Sequence, residues 1–202
     1  MNITEQYYIN NAQSFFNNTF NANIVDIITD FTKNLQPNSK ILDAGCGSGR
    51  DSLFFLNHGF QVVAFDSCKE LTEIASKAIN HPVLHLKFKD LTFENEFDAV
   101  WCMASLLHLD KKEFPHALQK CINAVKPNGL LFISLKKGFG TNVDDKNRFF
   151  SYYQEDELKT ILQELNQTNY IFKINDDILG RNQQWINLTL IKEPPKLNLR
   201  NK

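Results

Sequence analysis

The chain has 202 residues, 43% of them apolar, enough to bury the core of one domain and too apolar for a disordered polypeptide. Its 22 basic residues stand against 23 acidic ones, for a formal charge of -1. That balance lacks the basic excess of a dedicated nucleic-acid binder, although it does not exclude a nucleic-acid substrate.

Four cysteines, Cys46, Cys68, Cys102 and Cys121, lie far apart and form no C-x-x-C pair. They read as reduced thiols in a cytoplasmic protein, not as a disulfide frame or a zinc site. Met1 to Phe20 is polar and Asn-rich, with no apolar stretch suited to a signal peptide, and no segment approaches the length of a membrane span. There is no internal repeat and no linker. The expected organisation is a single domain, with an N-terminal helical lid over 1–36, a core over 37–193 and a surface tail over 194–202.

Ile24, Ile27, Ile28, Phe31 and Leu35 recur at helical spacing, and Pro37 follows as a stop. Lys40 to Asp43 predicts a short buried strand, Gly45 to Gly49 a loop, and Asp51 to Asn57 a helix closed by Gly59. Gln61 to Phe65 is the next strand, and Leu71, Ile74, Ala75, Ala78 and Ile79 mark an amphipathic helix. Val83 to Phe88 and Ala99 to Met103 predict two more strands. Phe114, Leu118, Cys121, Ile122 and Val125 predict a helix, Pro127-Asn128-Gly129 a turn, and Leu130 to Leu135 a fifth strand. Strands alternating with helices in this way define βαβ units and a mostly parallel sheet. The last third differs. After a helix over Glu155 to Leu165, Tyr170–Ile174 and Trp185–Ile191 are strands with only a short connection through Gly180 between them, which makes that pair antiparallel. The expected fold is α/β and doubly wound, a seven-stranded mostly parallel sheet ending in an antiparallel hairpin.

The most informative segment runs from Ile41 to Asp51, ILDAGCGSGRD. A strand enters a glycine-rich turn and leaves as a helix, and Gly45, Gly47 and Gly49 let the backbone turn tightly and approach a ligand. A dinucleotide fingerprint would require glycine at position 50, which is Arg50, and the Gly-Lys-Ser/Thr of a phosphate loop is absent. A second acid, Asp66, ends the next strand. There it can accept both hydroxyls of a ribose or cap the helix that follows.

With Asp43 at the strand end and Asp66 downstream, this Asp-x-Gly-x-Gly-x-Gly segment closely resembles the motif of class I S-adenosylmethionine-dependent methyltransferases. The start of the chain (Tyr7, Tyr8, Asn11, Ala12, Phe15), Ala104 to His108, and Arg148-Phe149-Phe150 ahead of Tyr152-Tyr153 resemble the small bacterial tellurite-resistance-type subgroup. The resemblance implies a Rossmann-like methyltransferase fold that binds S-adenosylmethionine and releases S-adenosylhomocysteine. It implies that Asp43, Gly45, Cys46, Gly47, Gly49, Asp66, Ser67 and Cys102 contact the cofactor. It also implies that Asp90 and Leu91, after the third strand, receive the adenine.

Methyl transfer from a sulfonium is an in-line displacement that needs no metal, and no metal site is expected. Arg50 begins the helix after the loop, where a cation opposes the helix dipole. Its partner is either the cofactor's carboxylate or the neighbouring Asp51. Tyr7 and Tyr8 either close over the cofactor or pack as ordinary core aromatics. His108 lies just past the fourth strand and is the candidate to contact the acceptor or take its proton, unless it is simply packed beside Leu106 and Leu109. Lys137, Arg148, Tyr152 and Tyr153 follow the fifth strand and are candidates for the acceptor pocket; Lys137 and Arg148 either suit an anionic acceptor there or stand as solvated charges.

The segment Cys102-Met103-Ala104-Ser105 lacks the Pro-Pro of enzymes that methylate flipped bases. The paired glutamates of arginine-methylating enzymes are also missing. The expected partner is therefore a small-molecule acceptor, with no membrane and no dedicated nucleic-acid surface, and the expected assembly is a monomer or homodimer. A macromolecular acceptor and a non-catalytic cofactor-binding module remain the alternatives.

Overall fold

The computed structural model describes residues 3–177 and 180–194. The expected tail beyond Pro194 and the first two residues of the expected N-terminal segment lie outside that range. The elements are α1 (Ile3–Thr19), α2 (Val25–Thr32), β1 (Lys40–Ala44), α3 (Arg50–Asn57), β2 (Gln61–Asp66), α4 (Lys69–Ile79), β3 (Val83–His85) and β4 (Phe97–Met103). They continue with α5 (Phe114–Ala124), β5 (Val125–Lys136), β6 (Thr141–Val143), β7 (Phe149–Ser151), α6 (Glu155–Glu164), β8 (Tyr170–Asp176) and β9 (Gln184–Ile191).

Seven strands form one sheet in the order β3-β2-β1-β4-β5-β9-β8. The first five run parallel, and β9 is antiparallel to both β5 and β8, so the doubly wound sheet with its antiparallel end is present as expected. Strand order reverses at β1, and the carboxyl ends of β1, β2 and β4 open a crevice of the kind in which such sheets bind ligands.

Both faces of the sheet are covered. Leu42, Val100, Leu131 and Ile133 point to the side closed by α5 and α6. Their alternating neighbours Ile41, Ala99, Trp101 and Phe132 meet Ile28 and Phe31 of α2 and Phe55 of α3. The Trp101 ring is fully buried and stacks on Phe132 with centroids 4.1 Å apart.

Two strands and one hairpin differ notably from the sequence reading. The third strand ends at His85, not Phe88, because its partner β2 ends at Asp66, which faces His85; the chain then makes a 3₁₀ turn over Phe88–Asp90. The fifth strand begins at Val125, and the expected Pro127-Asn128-Gly129 turn bulges out of it. Phe97 faces Val125 but Ala99 already faces Leu130, and Asn128 takes φ 65°. The small β6–β7 hairpin was not anticipated. Strands of three residues carry no readable periodicity. This hairpin is held by the Asp144 carboxylate, which accepts the Lys146 and Arg148 backbone N–H groups and the Arg148 side chain.

The N-terminal helix α1 is two segments joined at Asn11, whose φ of −124° breaks the helix and whose Nδ2 donates to the Tyr7 carbonyl at 2.8 Å. It packs along α4 through Ala12, Cys68 and Leu71. No helix among the described residues is long and apolar enough to cross a membrane.

The Trp101 indole N–H donates to Asp51 Oδ2 at 2.8 Å inside the core. Trp101→Phe keeps the stacked ring but leaves a buried carboxylate oxygen without its donor, so unfolding in urea should show a loss of about 1–3 kcal/mol. An unchanged midpoint would mean that the bond contributes nothing net.

Candidate active site

The loop from Gly45 to Gly49 is built on left-handed backbone, with φ of 77°, 55° and 79° at its three glycines. At Gly45 an added Cβ would lie 2.5 Å from Ser105 Cβ, and at Gly47 it would lie 3.2 Å from the Phe15 ring of α1. Conformation and close approach thus both require glycine at these two positions. Gly49 turns the loop into α3 and packs against Ala75 and Ile79 of α4.

Beneath the loop lies a buried polar layer. Asp43 Oδ2 accepts the Ser52 hydroxyl at 2.6 Å. Asp51 Oδ1 accepts Arg50 Nε at 2.6 Å while its Oδ2 takes the Trp101 indole. Burial, reinforced by the Asp51 carboxylate, pushes the Asp43 carboxyl well above the usual carboxylate range. Arg50 therefore pairs with Asp51, one of the two partners its position suggested, and its side chain also lines the cavity above.

Asp66 joins the loop to the next helix. Its Oδ2 accepts the Gly47 N–H and its Oδ1 the Cys68 N–H, both at 2.9 Å. The carboxylate, 9% exposed, thus ties the glycine turn to the start of α4. Burial raises its pKa, and the backbone N–H donors oppose the shift. The Ser67 N–H also faces this carboxylate, which retains lone-pair capacity for a further donor.

Past β4 the backbone takes a sharp step. Ala104 has φ 51°, Ser105 Oγ donates to the Ala44 carbonyl at 2.7 Å, and a 3₁₀ turn over Leu106–His108 follows. His108 Nδ1 lies 2.8 Å from the Phe149 carbonyl, which can only accept, so Nδ1 carries the proton and donates. Nε2 is then the acceptor and takes the Tyr8 hydroxyl at 2.9 Å. Burial lowers the His108 pKa from 6.5 to about 4, and burial likewise raises that of Tyr8. The pair is neutral at physiological pH, with the Arg148 guanidinium beside Tyr8.

These groups surround one cavity of about 370 Å³, within the range of small-molecule sites. Gly45, Cys46, Gly47, Arg50, Asp66, Ser67, Tyr8, His108 and Arg148 line it. Asp90 is exposed, Leu91 is buried with its carbonyl on Lys120 Nζ, and the Cys102 thiol faces Cys121 Sγ at 3.9 Å within the core. Leu86 to Phe88 and Met103 to Ser105 face the cavity instead. Tyr7 lies outside the lining with the Arg148 guanidinium 5.2 Å over its ring.

On the far side, Tyr153 is wholly buried against Phe114, Tyr152 packs on Gly138, and Lys137 bridges to Tyr153 through its backbone. Lys136, Phe150 and Trp185 occupy the cavity wall there. The sequence reading passed over these three. The only available signal was the spacing of Ser134 and Lys136, which puts both on one face of β5. Among the described residues no group of His, Cys, Asp and Glu is placed to hold a metal ion.

A family model described as a methyltransferase domain matches residues 41–129, the segment from the glycine loop to the bulge before β5. A ubiquinone biosynthesis O-methyltransferase of Xanthomonas campestris is 35% identical over 108 residues, covering 48% of this chain and 43% of its own length. The chain thus spans less than half of the curated relatives it matches first. Among solved structures, the 1,6-didemethyltoxoflavin-N1-methyltransferase of Burkholderia thailandensis superposes with a TM-score of 0.79 at 18% identity, over 95% of this chain and 88% of its own. A cyclase, SpnF, superposes at 0.66 and 17% identity, over 84% of this chain and 80% of its own. The fold is that of the class I, Rossmann-like S-adenosylmethionine-dependent methyltransferases, and residues 41–129 carry its methyltransferase-domain match.

The state of His108 has a consequence for stability. Its folded pKa lies below that of an unfolded histidine, so between the two values the unfolded chain binds more protons and stability falls as pH drops from about 6.5 towards 4. The loss attributable to this residue levels off at about 3–4 kcal/mol. His108→Gln should flatten that limb in urea unfolding measured across the interval; the same slope in both proteins would show that His108 is charged or exposed.

Proposed function

We propose that the chain is a cytoplasmic S-adenosylmethionine-dependent methyltransferase, a monomer or homodimer, that methylates a small molecule. The observation that carries the reading is the joint of Gly47 and Asp66 at the cavity floor. It presents left-handed loop backbone and a buried acid with spare lone pairs side by side, a donor set suited to an amino-acid-bearing nucleoside. Asp66 accepts the ribose hydroxyls, and the loop backbone approaches the amino-acid part. The N–H groups of Arg50 not engaged by Asp51 hold its carboxylate, and Leu86 and Phe88 flank the adenine. When bound, S-adenosylmethionine supplies a methyl group on positive sulfur; the acceptor's lone pair forms the new bond to carbon as the carbon–sulfur pair returns to sulfur.

The protein's own work is positional. It holds the acceptor in line behind the methyl group and keeps out water that would compete. We assign the N-terminal half of α1 as the lid that does this. It is latched by Tyr8 on His108, by the Phe149 N–H on Thr4 Oγ1 at 2.8 Å, and by Lys87 on Glu5. The Xanthomonas relative is named for ubiquinone biosynthesis and the Burkholderia structure holds 1,6-didemethyltoxoflavin, which supports a small-molecule acceptor.

Calorimetric titration with S-adenosylmethionine and, in parallel, NAD tests the reading. Micromolar binding of the first and none of the second is expected. Asp66→Asn should weaken S-adenosylmethionine binding roughly ten- to a hundredfold, the worth of a charge-assisted hydrogen bond. No heat from protein free of co-purified cofactor would overturn the reading, and normal binding by Asp66→Asn would remove the ribose from that site.

A further inference from the structure

The cavity extends beyond the cofactor residues to a wall where β5 and β9 lie side by side. Their register sets Ser134 opposite Asn187 and Lys136 opposite Trp185, and all four side chains line the cavity. Phe150 from β7 closes the same end, its ring 4.7 Å from that of His108. Three cations converge here, and two are neutralised within the protein. Arg148 is held by Asp144 and Arg181 by Asp177, which also accepts the Trp185 indole N–H at 2.9 Å. Asp176 lines the cavity too, but it is exposed and takes the Gln184 side chain.

Lys136 differs. Its ammonium sits 3.6 Å above the Phe150 ring and 5.8 Å from that of Tyr152, and among the described residues no carboxylate lies within ion-pair distance of it. A partly buried ammonium loses hydration, and an aromatic face returns only part of that loss. Arg148, also 5.2 Å over Phe150, and Arg181 add repulsion, which the Asp144 and Asp177 carboxylates offset in part from a distance. Among the described residues Lys136 is thus the one of these three cations without a carboxylate paired to it, at the end of the cavity away from the glycine loop.

The geometry points to an acceptor that carries a negative charge, a carboxylate or an ionised acidic oxygen or nitrogen, placed against the Lys136 ammonium between Phe150 and Trp185. This rests on the methyltransferase reading and specifies the substrate class of that same site. It also fits the rest of the acceptor end. The Nε2 of His108 is already occupied by the Tyr8 hydroxyl, and a histidine buried to a pKa of about 4 is a weak base at neutral pH. A nucleophile that arrives as an anion needs no base. Lys136 then acts as a specificity residue, choosing the ionised form and orienting it.

The test uses the S-adenosylhomocysteine-saturated protein and matched pairs of aromatic carboxylic acids and their neutral amides at millimolar concentration, read by thermal shift. The acids should raise the melting temperature and the amides should not. Lys136→Met should weaken acid binding roughly ten- to a hundredfold, and Lys136→Arg should retain the preference. Calorimetry of S-adenosylhomocysteine with each variant separates the two readings. No binding to wild type overturns the methyltransferase assignment. Binding with no advantage of acid over amide, or an advantage that survives Lys136→Met, overturns the anionic acceptor alone.

Discussion

Everything at the top of the sheet depends on the clasp between Asp66 and the backbone N–H groups of Gly47 and Cys68. A glycine-rich turn has no side chains with which to hold itself, and its left-handed backbone is costly in entropy to fix. One buried carboxylate fixes it from outside by bridging it to the start of α4. Neighbouring elements then close on what the glycines leave open: Ser105 over Gly45, Phe15 over Gly47, Ala75 against Gly49. The end of β4, α1 and α4 are therefore positioned by the same short loop.

A second constraint is electrostatic. Asp43, Asp51 and Asp66 all lie at or beneath the loop, and Asp43 is raised by its burial and then by the Asp51 and Asp66 carboxylates. Arg50 compensates Asp51 directly. Asp43 is thereby pushed towards its neutral form, so Asp66 is the acid at the cavity floor that favours a cationic sulfur over the neutral thioether left after transfer. Under the proposed reaction, that difference assists release of the product.

The parallel half of the sheet was legible in the sequence because each βαβ unit repeats a strong pattern: a buried apolar strand, a turn signal, then a helix with one apolar face. The glycine loop and Asp66 were legible because backbone geometry demands particular residues there. What escaped was set by tertiary register. The sequence offered Lys137 for the far wall, whereas β5 pairing with β9 turns Lys136 into the cavity beside Trp185. Tyr152 and Tyr153 looked like pocket aromatics, yet packing on Gly138 and Phe114 holds them behind the wall. Asp90 and Leu91 lie one turn past the residues that face the cavity, because β3 ends early and a 3₁₀ turn rotates the chain. None of these displacements leaves a mark on local composition.

The two ends of the cavity divide the work by charge. At the loop end, carboxylates and backbone N–H groups suit a ligand that carries positive charge and hydroxyls. At the far end, an ammonium without a paired carboxylate among the described residues and two aromatic rings suit a flat anion. The Tyr8–His108 pair stands between them, uncharged and hydrogen-bonded to its partners, and offers no strong base to either side. In a displacement between an anion and a sulfonium, charge is neutralised as the bond forms, so a dry cavity assists the reaction by weakening the hydration that keeps the two apart. On this view the neutrality of His108 is part of the mechanism, because a charged imidazolium there would draw water and compete for the anion that Lys136 is placed to hold.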